Sequence, residues 1–217
     1  MDRETIRRVL REVLHQAIVA SLQRQLRNFV GILETNVRYV DRSTDLSFDH
    51  WVSEISAEMV GVRSYLRCHF SSTTARVITD RLLGVEPPHH GADHLLSSIG
   101  ELCNIAMGAV KRRFVAAFRD HYGVEPELVI ATPNTYPSYD QARVHRADGG
   151  RHRVWEIDFG GHALLCEASV EVDVDMLIRD FALLEPDRHD SLIGYLSSLS
   201  SLRAAILAED RSAPLAA

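Results

Sequence analysis

Hydrophobic positions along the chain recur first at helical spacing, then in strand alternation, and then at helical spacing again. From about Asp2 to Leu33, apolar residues repeat every three or four positions, which predicts one long amphipathic helix with a basic, solvated flank. A short extended segment follows at Asn36–Val40, and then a polar link at Asp41–Asp49. The first third of the chain therefore predicts a helix that packs on a sheet.

The clearest local signal is a β-hairpin. Apolar and polar residues alternate over Trp51–Met59 and again over Val62–Phe70, which is typical of two half-buried strands. With the turn at Val60-Gly61, a single register satisfies both faces of the pair. The pairs that it predicts are Glu58 with Arg63 and Glu54 with Arg67 on the polar face, and Trp51 with Phe70 and Ile55 with Leu66 on the apolar face.

Two helices follow the hairpin. Ser71-Ser72-Thr73 is suited to cap a helix over about Thr73–Leu83, which ends before Gly84. After a proline-rich loop at Glu86–Gly91, a central helix is predicted over about Asp93–His121. At 1.5 Å per residue it is about 40 Å long, second only to the first helix.

The remaining pattern predicts more strands and then helices. Because strands and helices occur in this order, we predict an α+β fold: an antiparallel sheet of about six strands with long helices on one face. The predicted elements are a strand at Glu127–Ala131, a polar loop at Tyr136–Arg151, a hairpin of Val154–Phe159 and His162–Val170, a helix at Asp173–Leu184 that Pro186 breaks, a final helix at Ser191–Leu207, and a loose tail at Arg211–Ala217.

Composition narrows the class of protein. A chain of 217 residues with 46% hydrophobic residues is expected to form one globular domain with additions at its ends. The net charge of -6 argues against nucleic-acid binding, and no apolar run is long enough to cross a membrane. Met1–Glu4 does not resemble a secretory signal, and Cys68, Cys103 and Cys166 form no CxxC pair. We therefore expect a cytoplasmic protein with reduced, buried thiols.

The central helix has two chemically distinct faces. Ser97, Glu101, Asn104 and Gly108 lie together opposite the apolar face, so a carboxylate and a carboxamide project side by side. From spacing alone, a solvated polar surface is the ordinary interpretation. The apolar stripe consists of Leu95, Ile99, Leu102, Cys103, Ala106, Met107, Val110 and Phe114.

The pattern Ser97-x3-Glu101-x2-Asn104-x3-Gly108 resembles the active-site signature of the CheC/CheX/FliY chemotaxis phosphatases. The preceding helix, which ends in Leu82-Leu83-Gly84, and the single Glu-x2-Asn motif are similar to the CheX branch. The resemblance extends over about residues 5–185. It implies a CheX-like phosphatase domain at 1–186, including the N-terminal helix, and a C-terminal helical extension with a loose tail at 187–217.

Two positions bear on how closely the sequence follows the family pattern. Ala109 stands where the family has a second Asn, which is a departure. The family also has a proline about 22 residues after the motif Asn. Pro126 lies 22 residues after Asn104 and Pro133 lies 29 residues after it, and either is a candidate for that proline.

The resemblance implies hydrolysis of the aspartyl phosphate on a CheY-like response-regulator receiver in two-component signalling. Asn104 would position the attacking water, because a carboxamide both accepts and donates hydrogen bonds. Glu101 would pair with the receiver's active-site lysine and fix the docking register. The receiver would bring its own Mg²⁺, so this chain is expected to bind no cofactor. A homodimer formed through the sheets is also implied.

Four further residues are assigned to partner binding. Ser97 and Gly108 leave room for the partner's loops, while Lys111 and Arg112 flank the same face of the helix. Because a receiver's phosphoacceptor region is acidic, the two cations would steer encounter. Their alternative interpretation is that of two solvated helix cations.

Two other functions compete with this interpretation. A CheX-like module that binds a response regulator or signalling partner without hydrolysis would share the same fold. A metal site formed by His89, His90, Asp93 and His94 is disfavoured, because their spacing matches no usual ligand motif.

Overall fold

The computed structural model describes residues 3–40, 50–84, 91–123, 125–138 and 152–184. Four helices and seven strands lie within these ranges. In chain order they are α1 (Arg3–Asn28), β1 (Asn36–Tyr39), β2 (His50–Met59), β3 (Val62–Ser71), α2 (Ser72–Leu83), α3 (Ala92–Tyr122), β4 (Val129–Ile130), β5 (Asn134–Ser138), β6 (His152–Phe159), β7 (His162–Val172) and α4 (Val174–Leu184).

All strands belong to one antiparallel sheet with the order β1-β6-β7-β3-β2-β4, and β5 also pairs with β2. Helix α3 contacts both α1 and α2, all three helices contact the sheet, and their apolar residues form one continuous core with the strands. The predicted α+β fold is confirmed, with seven strands where about six were expected. Within the described ranges, no helix is long and apolar enough to span a membrane.

The β2–β3 hairpin has the predicted register throughout. Trp51 faces Phe70 on the apolar side. On the polar side, Arg63 Nη2 lies 2.8 Å from Glu58 Oε1, and Arg67 Nε lies 3.1 Å from Glu54 Oε2. The register is determined because a shift by one residue would place every charged side chain in the core.

The helix ends follow the predicted chemistry, with one exception. Ser71 Oγ accepts a hydrogen bond from the Thr74 N–H at 3.1 Å, and Gly84 ends α2 in a left-handed conformation with φ 62°. Helix α1, however, ends at Asn28 rather than Leu33, because the chain turns at Gly31 with φ 70°. Consequently α3, with 31 residues, is longer than α1, with 26, which reverses the predicted order of lengths.

Strand β5 is the main element that the pattern does not predict. The polar loop expected from Tyr136 onward begins instead as a strand that pairs with the first half of β2. The sequence does not predict this strand because it contains Pro137 and follows Pro133, and proline argues against a central strand. Within the described residues β5 pairs with β2 alone, so this is an edge strand, where proline is tolerated.

Between β4 and β5 the chain forms a β-bulge. Ile130 faces Ala57 and Asn134 faces Glu54, so four steps along one strand match three steps along the other. One extra residue is therefore inserted in the segment that contains Pro133. The predicted continuous strand Glu127–Ala131 is shortened to the two residues of β4.

On the sheet face opposite the helices, Glu167 is 6% exposed and lies among basic side chains. Its carboxylate oxygens lie 3.9 Å from His69 Nε2 and 3.4 Å from His152 Nδ1, and Arg67 is its cross-strand neighbour. Burial acts to raise the pKa of the Glu167 carboxyl, but His69, Arg67 and His152 outweigh it and lower that pKa below its ordinary value. His152 thus belongs to a cluster of ionisable side chains around Glu167.

Several sequence predictions lie outside the described residues. These are the polar link at 41–49, most of the proline-rich loop with His89 and His90, the second part of the polar loop at 139–150, and the C-terminal helix and tail. They stay predictions, as does the division into 1–186 and 187–217.

Gly61 and Gly31 provide a matched test of how tightly α4 closes on the hairpin turn. Both have a positive φ, at 69° and 70°. A Cβ on Gly61 would lie 2.7 Å from Leu177 Cγ and 2.9 Å from the Asp173 carbonyl oxygen, whereas one on Gly31 would meet nothing within 4 Å. Gly31→Ala is expected to cost about 1 kcal/mol of unfolding free energy, from backbone strain. Gly61→Ala should cost about 3 kcal/mol, because overpacking adds to that strain.

Chemical denaturation of both variants measures this difference. Equal losses in the two variants would contradict the close packing of α4 against the turn.

Candidate functional site

The exposed face of α3 carries the predicted site. Ser97, Glu101 and Asn104 are exposed and Gly108 is partly buried, as the helical spacing predicts. The opposite stripe is buried in the core at every predicted position, namely Leu95, Ile99, Leu102, Cys103, Ala106, Met107, Val110 and Phe114. The two-faced helix is confirmed.

Helix α3 is held from two sides near the motif. Ser21 Oγ of α1 donates a buried hydrogen bond to the Ala106 carbonyl oxygen at 2.8 Å. On the sheet side, a Cβ on Gly100 would lie 3.2 Å from Thr135 Oγ1 and 3.7 Å from Pro133 Cβ. The helix therefore packs directly on the β4–β5 bulge. The motif residues consequently belong to an element that is held in place from two sides.

This support is what the sequence analysis missed. Gly100 immediately precedes Glu101 and allows the close approach of helix and sheet, and Thr135 Oγ1 is itself fixed by a 3.0 Å hydrogen bond to Ser53 Oγ. The available signal was a second glycine inside the helix. Of the two candidate prolines, Pro133 lies beneath the motif helix.

Glu101 and Asn104 contact each other. Asn104 Nδ2 donates a hydrogen bond to Glu101 Oε2 at 3.3 Å, and both side chains are exposed. With the amide nitrogen directed to the carboxylate, the carbonyl oxygen of Asn104 is the group presented to an incoming donor. The pair thus offers an acceptor and a carboxylate on one turn of helix.

Gly108 differs from Gly100 in its surroundings. A Cβ on Gly108 would meet Arg112 Nη1 at 3.6 Å, an ordinary van der Waals distance. The contacts of the described chain therefore do not require a glycine here, although glycine lowers helix stability by about 1 kcal/mol relative to alanine. The group nearest to the outer face of Gly108 is therefore the Arg112 guanidinium.

Two cations flank this surface. Arg112 is exposed and Lys111 partly buried, and neither forms a hydrogen bond or ion pair within the described part of the chain. Arg119, further along α3, is instead paired with Glu125 at 3.4 Å. The cations nearest the motif are those available to an external anion.

The three cysteines come together beneath the helix and contribute no reactive group. All are free and buried, as predicted, and Cys68 Sγ lies 4.0 Å from Cys166 Sγ. The neighbouring Cys68 thiol and burial raise the pKa of the Cys103 thiol well above its ordinary value. Because the thiolate is the reactive form, these residues serve as packing.

The disfavoured metal site lies only partly in the described residues, because His89 and His90 fall outside them. Among the described residues, no group of three or more His, Cys, Asp and Glu side chains is arranged to hold a metal ion. Asp93 and His94 are exposed at the start of α3.

Comparison with known proteins agrees with this fold. No family model matches the sequence, and no curated protein matches it. The structure is similar to a CheC-like superfamily protein from Shewanella sp. PV-4, with a TM-score of 0.55, 17% identity, and coverage of 73% of this chain and 97% of that one.

CheX proteins give the same result. CheX from Vibrio vulnificus has a TM-score of 0.55 and 17% identity, over 71% of this chain and 97% of that one. A chain of the CheX–CheY–BeF3–Mg²⁺ complex from Borrelia burgdorferi has a TM-score of 0.54 and 11% identity, with coverage of 71% of this chain and 96% of that one. At these identities the likeness shows the fold, and the predicted CheX-like fold is confirmed.

Gly100 and Gly108 are expected to respond in opposite ways to alanine. Gly108→Ala should raise the free energy of unfolding by about 1 kcal/mol, because it removes a helix glycine without a steric conflict. Gly100→Ala should give no such gain, because its Cβ presses on Thr135, whose hydroxyl is fixed by Ser53. Thermal unfolding of the two variants measures the difference. Stabilisation by both substitutions would show that α3 is not seated on the bulge as described.

Proposed function

We propose that this chain is a phosphatase that hydrolyses the aspartyl phosphate of a CheY-like response-regulator receiver. The observation that carries the proposal is the exposed Glu101–Asn104 pair on α3 of a CheX-like fold. In this proposal the exposed face of α3 inserts into the active site of the receiver. The protein acts in the cytoplasm as part of a two-component chemotaxis system.

The chemistry requires little from the phosphatase. A water oxygen bonds to phosphorus as the bond between phosphorus and the aspartyl oxygen breaks, and the electron pair of that bond returns to the aspartate carboxylate. The water protons end on inorganic phosphate and solvent. Such a reaction depends on positioning and on charge stabilisation around the phosphoryl group. The carbonyl oxygen of Asn104 accepts a hydrogen bond from this water and holds it in line.

In this proposal Glu101 binds one partner before docking and another after it. In the free protein its carboxylate accepts the Asn104 amide hydrogen bond at 3.3 Å. On docking it pairs with the active-site lysine of the receiver, which releases the amide of Asn104 toward the water. The Mg²⁺ that neutralises the phosphoryl oxygens belongs to the receiver.

Partner contact extends along the same face. Ser97 and Gly108 are small enough for the receiver loops to approach the helix, and Lys111 and Arg112 are available to an acidic partner. Support for such a partner comes from the Borrelia burgdorferi structure, in which CheX is complexed with CheY. Opposite charges on the two surfaces would accelerate encounter.

The alternative is a non-enzymatic module that binds a response regulator or signalling partner. It is favoured by one observation, the Ala109 that stands where the family has a second Asn. In the phosphatase proposal, water positioning therefore depends on Asn104 alone. Binding and turnover measured in the same sample separate the two functions.

Asn104→Ala is expected to lower the rate of receiver dephosphorylation about 10²- to 10³-fold, the contribution of one well-placed polar catalytic group. Binding of the receiver should persist, because Glu101 is unchanged. The measurement is phosphate release from a panel of phosphorylated receivers of the same genome, together with the affinity for each. Glu101→Ala is the companion variant and should weaken binding as well as turnover.

Equal decay of the phosphorylated receiver with the native chain and with Asn104→Ala would overturn the catalytic role of Asn104. Binding selective for the phosphorylated receiver, without faster phosphate release, would favour the non-enzymatic module.

A homodimer formed through the sheets is a further part of the proposal. Within the described residues, β1 pairs with β6 alone and leaves a sheet edge open, and Tyr39 on that strand is 48% exposed. We expect a solution mass of twice the chain mass, measured by light scattering. Tyr39→Pro should reduce dimerisation, because proline lacks the N–H that edge pairing requires. A monomer at all working concentrations would contradict this arrangement.

A further inference from the structure

The Arg112 guanidinium lies close to the Glu101–Asn104 pair and adds a positively charged group to the candidate site. Its Nη1 atom lies 3.6 Å from the point where a Cβ on Gly108 would be. The guanidinium therefore bends back along the helix and lies over the glycine. This direction is the natural one, because helical side chains tilt toward the N-terminus of the helix.

The bend of the Arg112 side chain over Gly108 brings its charge close to Asn104. The Cα atoms of Asn104 and Arg112 are eight residues apart, about 12 Å along the helix axis. The guanidinium lies instead beside position 108, and side chains four residues apart are separated by only about 5–6 Å. A single small anion in front of the helix is then within reach of both Asn104 and Arg112.

The guanidinium is also free to bind an external group. Arg112 is exposed and has no hydrogen-bond or ion-pair partner among the described residues. By contrast, Arg63 and Arg67 on the sheet, like Arg119 on α3, are each paired with a carboxylate. A planar guanidinium matches the oxygen geometry of a phosphoryl group and binds it through two parallel hydrogen bonds.

We propose that Arg112 is a catalytic residue that contacts the phosphoryl oxygens of the receiver's aspartyl phosphate. This inference rests on the proposed phosphatase function. While Asn104 holds the water, Arg112 donates hydrogen bonds to equatorial oxygens of the phosphoryl group as the bond to the aspartyl oxygen breaks. No atom of Arg112 is transferred. Its charge stabilises the negative charge that is spread over those oxygens in the transition state.

The first experiment measures turnover at saturating phosphorylated receiver. Arg112→Ala should lower kcat about 10- to 100-fold, the contribution expected of a hydrogen bond to a charged group. The loss should persist as salt is raised, because a contact inside a closed interface is screened less than long-range steering. Arg112→Lys should retain part of the rate, since lysine keeps the charge but loses the guanidinium geometry.

Arg8→Ala is the matched control for the loss of one exposed cation, since Arg8 has no ion-pair or hydrogen-bond partner in the part of the chain that the structure describes. Arg8 lies on α1, about 20 Å along that helix from Ser21, where α1 contacts α3. This variant should leave kcat within twofold of the native value. Circular dichroism of all variants establishes that they fold.

The second experiment is independent of turnover. It compares the affinity for a receiver loaded with BeF3⁻ and Mg²⁺, which imitates the phosphoryl group, with that for the unloaded receiver. Arg112→Ala should weaken binding of the loaded form about 10- to 100-fold and leave binding of the unloaded form unchanged.

The outcomes separate the two proposals. An unchanged kcat, or a rise in KM alone that disappears at high salt, shows that Arg112 only steers and overturns this inference while the phosphatase function stands. A chain that binds the loaded receiver selectively through Arg112 but does not accelerate phosphate loss overturns the phosphatase function and keeps the phosphoryl contact. A chain that binds no receiver in either form overturns both.

Discussion

The geometry of the whole site depends on the contact between α3 and the bulged edge of the sheet. At Gly100 the helix backbone lies so close to the sheet that a Cβ would be 3.2 Å from Thr135 Oγ1 and 3.7 Å from Pro133 Cβ. The hydrogen bond from Ser21 to the Ala106 carbonyl fixes the same helix from the other side, six residues later. Because the rotation of α3 is set between these two points, the face that carries Glu101 and Asn104 is directed to solvent in a single orientation. A site built from exposed residues can be precise only when its helix is fixed in this way.

The elements with strong periodicity were predictable from the sequence. The β2–β3 register and the two faces of α3 follow from local patterns in which every position agrees. The packing of α3 on the β4–β5 bulge could not be predicted, because it brings Gly100 against residues more than thirty positions away in the sequence. Strand β5 was not predictable either, because Pro133 and Pro137 argue locally against a strand. Proline is tolerated here because β5 lies at the edge of the sheet.

The candidate site shows the same division. Helical spacing places Glu101 and Asn104 together, but it does not distinguish them from any solvated pair on a helix. Their mutual hydrogen bond and the direction of the Arg112 side chain over Gly108 are properties of the folded chain. A protein with a net charge of -6 thereby presents, at the helix face where an acidic partner is proposed, positive charge that has no partner among the described residues.

The bulge also imposes a rule on how this segment changes in evolution. Ile130 and Thr135 are separated by five positions, yet both are directed toward the helices, Ile130 into the core and Thr135 against Gly100. In a regular strand, residues an odd number of positions apart lie on opposite faces, so the extra residue corrects the parity between the two halves of the edge. Inserting or deleting one residue between Ile130 and Thr135 would turn the side chains of one half of the edge to the opposite face of the sheet. Inserting or deleting two residues would leave them on the same face. Related chains are therefore expected to differ in length here only in even steps.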